Sequence, residues 1–245
     1  MSKLLHVPRE IAKNLLMAIP SIRDRRIRRG RTTAGNQAAL IREQFDFFRR
    51  RLSGIHGTVV EIGPGDTVAL APLFLANGAS QYIAYDRFLG DVFGHHQQSL
   101  YRDLGLNISL FQNRIALRRI SIEESRDRDV ADILISYNVI EHLTDPHLAL
   151  RNMARMLKPN GVMIHRVDYG PHDCWTLYED ERTFMSFPDW LWRMMGSNRG
   201  YPNRERHSSI LRTLQGVGLE VSSSITSTFK NSDDALDAEL ICIKR

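Results

Sequence analysis

The chain has 245 residues, 42% hydrophobic and 25% charged, with a formal net charge of +5. That length suits one sizeable α/β domain with additions, or at a stretch two small ones, and the composition is ordinary for a globular protein. No apolar run approaches the roughly 20 residues that span a bilayer. Arg9, Glu10 and Lys13 interrupt the apolar start, so it does not read as a signal peptide. Cys174 and Cys242 stand far apart and outside any Cys-x-x-Cys pair, which argues against a zinc cage or a disulfide framework. A reducing cytoplasm is the expected setting.

The charge is uneven. Residues 1–54 hold 13 Lys/Arg against 4 Asp/Glu, so the basic excess belongs to this segment. Arg23, Arg25, Arg26, Arg28, Arg29 and Arg31 crowd together there. Such a cluster can meet phosphates, an anionic glycan or the inner face of a membrane. Aromatic residues are not interleaved with it, which disfavours nucleic acid as a partner. Ile11, Leu15, Leu16 and Ile19 share a helical face, and Pro20 is expected to end that helix. Core packing is the commoner fate of such a stripe; a membrane surface is the other. Ala38, Ile41, Phe45, Phe48 and Leu52 predict a second helix. Residues 1–54 therefore read as a basic helical extension and 55–245 as the main domain.

From Thr58 the pattern changes to short apolar runs separated by helical stretches. Strands are expected at 58–62, 81–85, 115–120, 132–136 and 162–167, with a helix at 67–76 and another at 146–157. A turn at Lys158–Gly161 separates that second helix from the 162–167 strand. A helix at 205–216 precedes two last strands, 219–224 and 239–244. The alternation argues for a parallel sheet with helices on both faces. Residues 169–203 break the rhythm and hold all three tryptophans, Trp175, Trp190 and Trp192. Such an insertion after a central strand is a candidate lid or substrate wall, because open α/β sheets bind ligands at the carboxyl ends of their strands.

The most informative segment is Val59-Val60-Glu61-Ile62-Gly63-Pro64-Gly65-Asp66-Thr67. A glycine turn between strand and helix lets backbone N–H groups approach a ligand. Val68 stands where a dinucleotide fingerprint wants its third glycine, which weakens a nicotinamide reading. Asp86 closes the next strand, where a carboxylate can accept two ribose hydroxyls. On these residues the sequence resembles the class I S-adenosylmethionine (SAM) dependent methyltransferases. The likeness is extended by Asp132–Leu143, similar to the fourth-strand motif of the small-molecule branch, and by Leu157–Val162, similar to the turn into strand five. The resemblance implies a Rossmann-like seven-stranded sheet, mostly parallel, with an antiparallel last hairpin. It also implies that Glu61, Gly63, Gly65, Asp66 and Thr67 wrap the methionine and ribose part of SAM. Asp86 and Arg87 would then hold the ribose side, Ser121, Ile122 and Glu123 the adenine, and Asn138 would stand at the end of strand four.

Methylating a hydroxyl also needs a proton acceptor, and histidine suits that task near neutral pH. Four residues are candidates: His142, after strand four, and His165, Asp168 and His172, at the end of strand five. His172 is the first choice for the base. The His165–Asp173 run can equally ligate a divalent metal that grips sugar hydroxyls. It resembles methyltransferases of bacterial polysaccharide and glycolipid biosynthesis, as does Asn203-Arg204. The expected activity is therefore O-methylation of a sugar, glycolipid or similar small acceptor. RNA or protein methylation, and a SAM-fold binding protein without catalysis, are the alternatives. Strand four ends in Ser136-Tyr137-Asn138-Val139, not in the Asn/Asp-Pro-Pro-aromatic box of amino-methylating relatives.

Overall fold

The computed structural model describes residues 6–28, 38–65, 67–172 and 180–245, apart from the side chains of residues 26–28 and 96. Asp66, Asp173, Cys174, Trp175, Arg29 and Arg31, singled out above, lie outside the described residues. In chain order the elements are α1 (His6–Ala18), α2 (Pro20–Arg28), α3 (Ala38–Arg49), β1 (Thr58–Ile62), α4 (Leu70–Ala76), β2 (Gln81–Tyr85) and α5 (His95–Asp103). There follow β3 (Ile115–Arg118), β4 (Ala131–Tyr137), α6 (Pro146–Met156), β5 (Leu157–Asp168), α7 (Asp189–Gly196), α8 (His207–Gly216), β6 (Leu219–Thr228) and β7 (Ala235–Lys244).

The seven strands form one sheet in the order β3-β2-β1-β4-β5-β7-β6. The first five are parallel, and β7 runs antiparallel between β5 and β6. This is the mostly parallel seven-stranded sheet with an antiparallel last hairpin that the resemblance implies. Strand order reverses between β1 and β4, so their carboxyl ends diverge and leave a crevice there. The central strands are apolar on both faces, as expected of parallel strands covered by helices on each side. One face carries Val60, Leu134 and Met163 with Leu150 and Met153 of α6 and Ile210 and Leu214 of α8. The other carries Val59, Ile133 and Ile164 with Phe45 and Phe48 of α3 and Phe74 of α4.

Several boundaries differ from the sequence reading. α1 ends at Ala18, before Pro20 as expected, but Pro20 also opens a further helix, α2, since the first position of a helix needs no N–H. The helix expected from Thr67 starts only at Leu70; Thr67 and Val68 belong to the buried end of the glycine loop. Lys158–Gly161 is not a turn between elements. Leu157 already pairs with Ala131, and the register shifts before Ile133 meets Val162, so the four residues form a bulge inside β5. A side chain at Gly161 would stand 2.9 Å from the Lys158 carbonyl oxygen, which is why glycine occupies the bulge.

The N-terminal segment is built into the domain. α3 contributes Ile41, Phe45, Phe47 and Phe48 to the core. α1 docks on α7 chiefly by its polar face; of its expected apolar stripe, only Ile11 packs against the core. Asn14 Nδ2 donates to the Met194 carbonyl at 2.9 Å, and Asn14 Oδ1 accepts from the Asn198 N–H at 2.7 Å. Glu10 accepts from Lys13 at 2.7 Å and from the Tyr201 hydroxyl at 2.5 Å, and also pairs with Arg199. Burial alone would raise the Glu10 pKa, but these three donors hold it at about 2. Leu15, Leu16 and Ile19 are left exposed.

The aromatic insertion divides in a similar way. Phe184 and Trp192 are buried, Trp192 against Tyr201 with ring centroids 5.2 Å apart, and Trp192 Nε1 donates to the Pro202 carbonyl at 2.8 Å. Trp190 is exposed. The described part of the insertion is thus an extension of the core with one surface tryptophan. No helix among the described residues is long and apolar enough to cross a membrane.

Glu61 is the one carboxylate inside the central strands β1 and β4 that faces the apolar core, where Tyr82 donates to its Oε2 at 2.6 Å. Burial raises its pKa to about 8 against the opposing hydrogen bond from Tyr82. The folded state therefore holds a proton that the unfolded chain releases near its ordinary 4.5. The associated stability is complete below pH 4.5 and is lost as pH rises through about 8. Denaturant melts of the ligand-free protein between pH 5 and 8 are expected to show this loss, at most about 1.4 kcal/mol per pH unit from this residue. Glu61→Gln is expected to flatten the slope; an unchanged slope would show that Glu61 is ionised throughout.

Candidate active site

The carboxyl ends of β1 and β2 build the first half of the site. Gly63 and Gly65 both have φ of +70°, a left-handed conformation that side chains disfavour. The Gly63 N–H donates to the Tyr85 carbonyl at 2.8 Å and the Gly65 N–H to Asp86 Oδ2 at 3.0 Å, which fastens the loop to the end of β2. Asp86 Oδ1 accepts from the Phe88 N–H at 2.7 Å. A Cβ on Gly63 would lie 2.6 Å from the Val139 methyl groups, so the loop rests directly on the turn that follows β4.

Beside Asp86 a cleft of about 500 Å³ is lined by Arg87, Phe88, Leu89, Gly90, Asp91 and Arg119, with Asp24 of α2 on its rim. It lies between the segments that follow β2 and β3, where a planar base next to a ribose would sit. These residues fit an adenosyl group: bare glycine backbone, a carboxylate for paired hydroxyls, and an aromatic edge at Phe88. Glu61 and Thr67, both buried, support the loop from beneath. Ser121 bonds to the Glu123 carboxylate, whose other oxygen accepts from the Thr144 N–H at 3.0 Å. Ile122 is buried, and Asn152 Nδ2 donates to the carbonyls of Ile122 and Glu123, each at 3.0 Å. The side chains of Ser121–Glu123 are therefore committed to holding their own turn, with only their backbone edge left for a base.

The second half of the site stands at the ends of β4 and β5. Asn138 takes φ of +54°, and its Oδ1 is buried without a hydrogen-bond partner. The next turn, Ile140–His142, is gripped by Asn203. Its N–H donates to the Glu141 carbonyl at 2.6 Å, and its side chain donates to the Ile140 carbonyl at 2.7 Å and the Leu143 carbonyl at 3.2 Å. Asn203 is a positioning residue whose role the sequence did not disclose. A side-chain amide just before a helix is an everyday turn residue, and only the fold brings it to β4.

The grip sets His142 against His172, their rings stacked with centroids 4.9 Å apart. His172, at φ of +56°, has Nδ1 3.5 Å from Asp168 Oδ2. Three of the four candidate catalytic residues thus come together. One edge of the His142 ring reaches solvent, yet the protein around it desolvates the group and, with His172 adjacent, lowers its pKa to about 4. His165 stands apart. It points into the core from within β5, fully buried, with Nδ1 2.6 Å from Ser136 Oγ, and burial lowers its pKa to about 3. Strand alternation puts it on the same face as Met163 and Val167, in the core packed by α6 and α8. Glu141, passed over in favour of its histidine neighbour, is 2% exposed, and burial drives its pKa well above the usual carboxylate range.

A second cleft, of about 450 Å³, opens from Tyr169 toward the β6–β7 hairpin and is edged by Asp180, Arg182, Glu205, Arg206 and Asp234. Inside it Tyr169 Oη lies 3.0 Å from His207 Nδ1, and His207 Nε2 lies 2.7 Å from Ser223 Oγ.

Comparison with known proteins agrees with this fold. A family model described as a methyltransferase domain matches residues 6–224. No curated protein sequence matches significantly. The fold is similar to that of the YcgJ protein from Bacillus subtilis (TM-score 0.55, 15% identity, 83% of this chain and 99% of that one). It is also similar to a SAM-dependent methyltransferase from Mesorhizobium loti (TM-score 0.52, 14% identity, 81% and 96%). A third likeness is to phosphoethanolamine N-methyltransferase 2 of Haemonchus contortus in complex with SAM (TM-score 0.56, 12% identity), covering 82% of this chain and 52% of that one. The family match starts at α1 and runs through α7 into β6, so the N-terminal helices and the insertion are parts of the matched domain. By sequence model and by fold, the chain belongs to the methyltransferase domains of the class I SAM-dependent superfamily.

Proposed function

We propose that the protein transfers the methyl group of SAM to a hydroxyl of a small polyhydroxylated acceptor, a sugar or glycolipid. One observation carries the reading: the imidazoles of His142 and His172, with Asp168 behind the latter, stand one turn from the glycine loop, at the end of the crevice. SAM supplies an activated methyl on a sulfonium, which needs positioning and exclusion of water more than electrophilic help. The chain's part is to fix that group through Asp86 and the backbone of Gly63–Gly65. At the other end, the two imidazoles stand beside the acceptor and can help remove a hydroxyl proton. The charged rim of the Tyr169 cleft suits an acceptor rich in hydroxyls better than an apolar one.

Asp86→Ala is expected to weaken SAM binding roughly tenfold to a hundredfold in calorimetry, the loss of one or two charge-assisted hydrogen bonds. His172→Ala is expected to leave SAM binding intact and to lower kcat about a hundredfold or more. The assay is release of S-adenosylhomocysteine with activated sugars and lipid-linked glycans. Turnover only with amines, proteins or RNA would overturn the acceptor assignment.

The reading extends to a peripheral contact with an anionic surface. Its support is the exposed Leu15, Leu16, Ile19 and Ile22 of α1, α2 and the bend between them, close to Arg23 and Arg25, with Trp190 and Met194 exposed on the helix that α1 docks against. Flotation with vesicles rich in phosphatidylglycerol is expected to carry the protein upward at low salt. Leu15→Glu together with Leu16→Glu is expected to abolish it, and equal flotation of wild type and variant would refute the contact.

A further inference from the structure

We infer that Glu141, His142 and His172 form a binding site for one divalent transition-metal ion. The ligand-bearing atoms of the three side chains all lie within 4.8 Å of one another. Donors about 2 Å from a shared ion are at most about 4 Å apart, so small rotations about the side-chain bonds complete the set. Glu141 and His172 have donor atoms left over, and one ring nitrogen of His142 is taken by the Gly200 backbone, which leaves the other for an ion. Glu141 is 2% exposed, and neither oxygen has a hydrogen bond of normal geometry, although the backbone N–H groups of Glu141 and Asp168 lie close by. His172 Nε2 is likewise buried without a partner. Asn138 Oδ1, three residues before Glu141, is a further buried oxygen without one.

A buried carboxylate with no donor is expensive to keep, and a cation would compensate it. The outer contacts have the form found behind metal ligands. Asp168 faces Nδ1 of His172, which leaves Nε2 for an ion, and Asn203 fixes the backbone of Glu141 and His142. Two imidazoles and one carboxylate favour an ion such as Mn²⁺, Co²⁺ or Zn²⁺ over Mg²⁺, which prefers oxygen throughout. Three protein ligands leave coordination positions open.

The role of the ion rests on the hydroxyl-methylation reading above. Two neighbouring acceptor oxygens fill the open positions, which selects acceptors with vicinal oxygens. The bound hydroxyl loses its proton to solvent more readily. That oxygen's electron pair then forms the bond to the methyl carbon of SAM, while the carbon–sulfur pair remains on sulfur, giving the methyl ether and S-adenosylhomocysteine. His172 acts here as a ligand, and metal coordination replaces direct proton acceptance by its ring.

The test is titration of the chelator-treated full chain with Co²⁺ and Mn²⁺, followed by calorimetry and, for Co²⁺, by visible absorption. One ion per chain is expected, with Mg²⁺ weaker, and with His172→Ala and His142→Ala each binding at least about tenfold less tightly. His147→Ala, remote on α6 beside Glu205 and Thr213, is expected to bind as wild type does. Circular dichroism and SAM binding verify that each variant is folded. No stoichiometric binding, equal affinity in all variants, or Mg²⁺ binding tighter than Co²⁺ would overturn the site. Loss of the site with SAM binding intact leaves the methyltransferase reading standing. A metal site without methyl transfer to polyols would sink the acceptor assignment and leave the site standing.

Discussion

Contact between the glycine loop after β1 and the turn after β4 is the constraint on which the site depends. These two strands flank the place where strand order reverses, so their ends belong to opposite halves of the sheet. Gly63 lies so close to Val139 that no side chain fits between them. One residue before Val139 is Asn138, and two residues after it is Glu141. Whatever the loop holds is therefore set at a fixed distance from the ends of β4 and β5. A methyl transfer demands such fixed spacing, because the reacting atoms must meet in line.

The rest of the molecule braces that contact from outside. Asn203 holds the Ile140–His142 turn through three hydrogen bonds from the segment between α7 and α8. That segment is steadied by Trp192 and Tyr201, and Tyr201 in turn meets Glu10 of α1. A continuous path of packing and polar contacts thus joins the N-terminal helix to the turn after β4. On the donor side α2 brings Asp24 to the rim of the cleft beside Arg87. The basic N-terminal segment, separate by composition, is by contact part of the wall of the cleft beside Arg87.

Charge is handled differently on the two sides of the crevice. Asp86 is half-buried and satisfied by backbone N–H groups, so it is ready to exchange partners with a ligand's hydroxyls. Glu141 is enclosed and lacks a well-formed donor. A protein seldom keeps such a group in its interior without a proton or a cation to neutralise it. The contrast separates a carboxylate that binds by hydrogen bonding from one suited to a metal.

By itself the sequence determined the strand–helix alternation, the seven strands and the glycine loop after β1. Those features depend on local matters: β-branched runs, glycines at left-handed positions, and a carboxylate at a strand end. It also pointed to the ends of strands four and five as the acceptor side. Only the tertiary structure decided which polar residues meet there. Strand alternation turned His165 inward to Ser136, while the left-handed backbone at His172 turned its ring toward His142. The burial of Glu141 and the reach of Asn203 join segments about sixty residues apart, which periodicity cannot register. The apolar stripe of α1 misled for the same reason. A stripe announces that a face will be covered, but the hydrogen bonds of Glu10 and Asn14, made to a helix near the other end of the chain, decided which face that was.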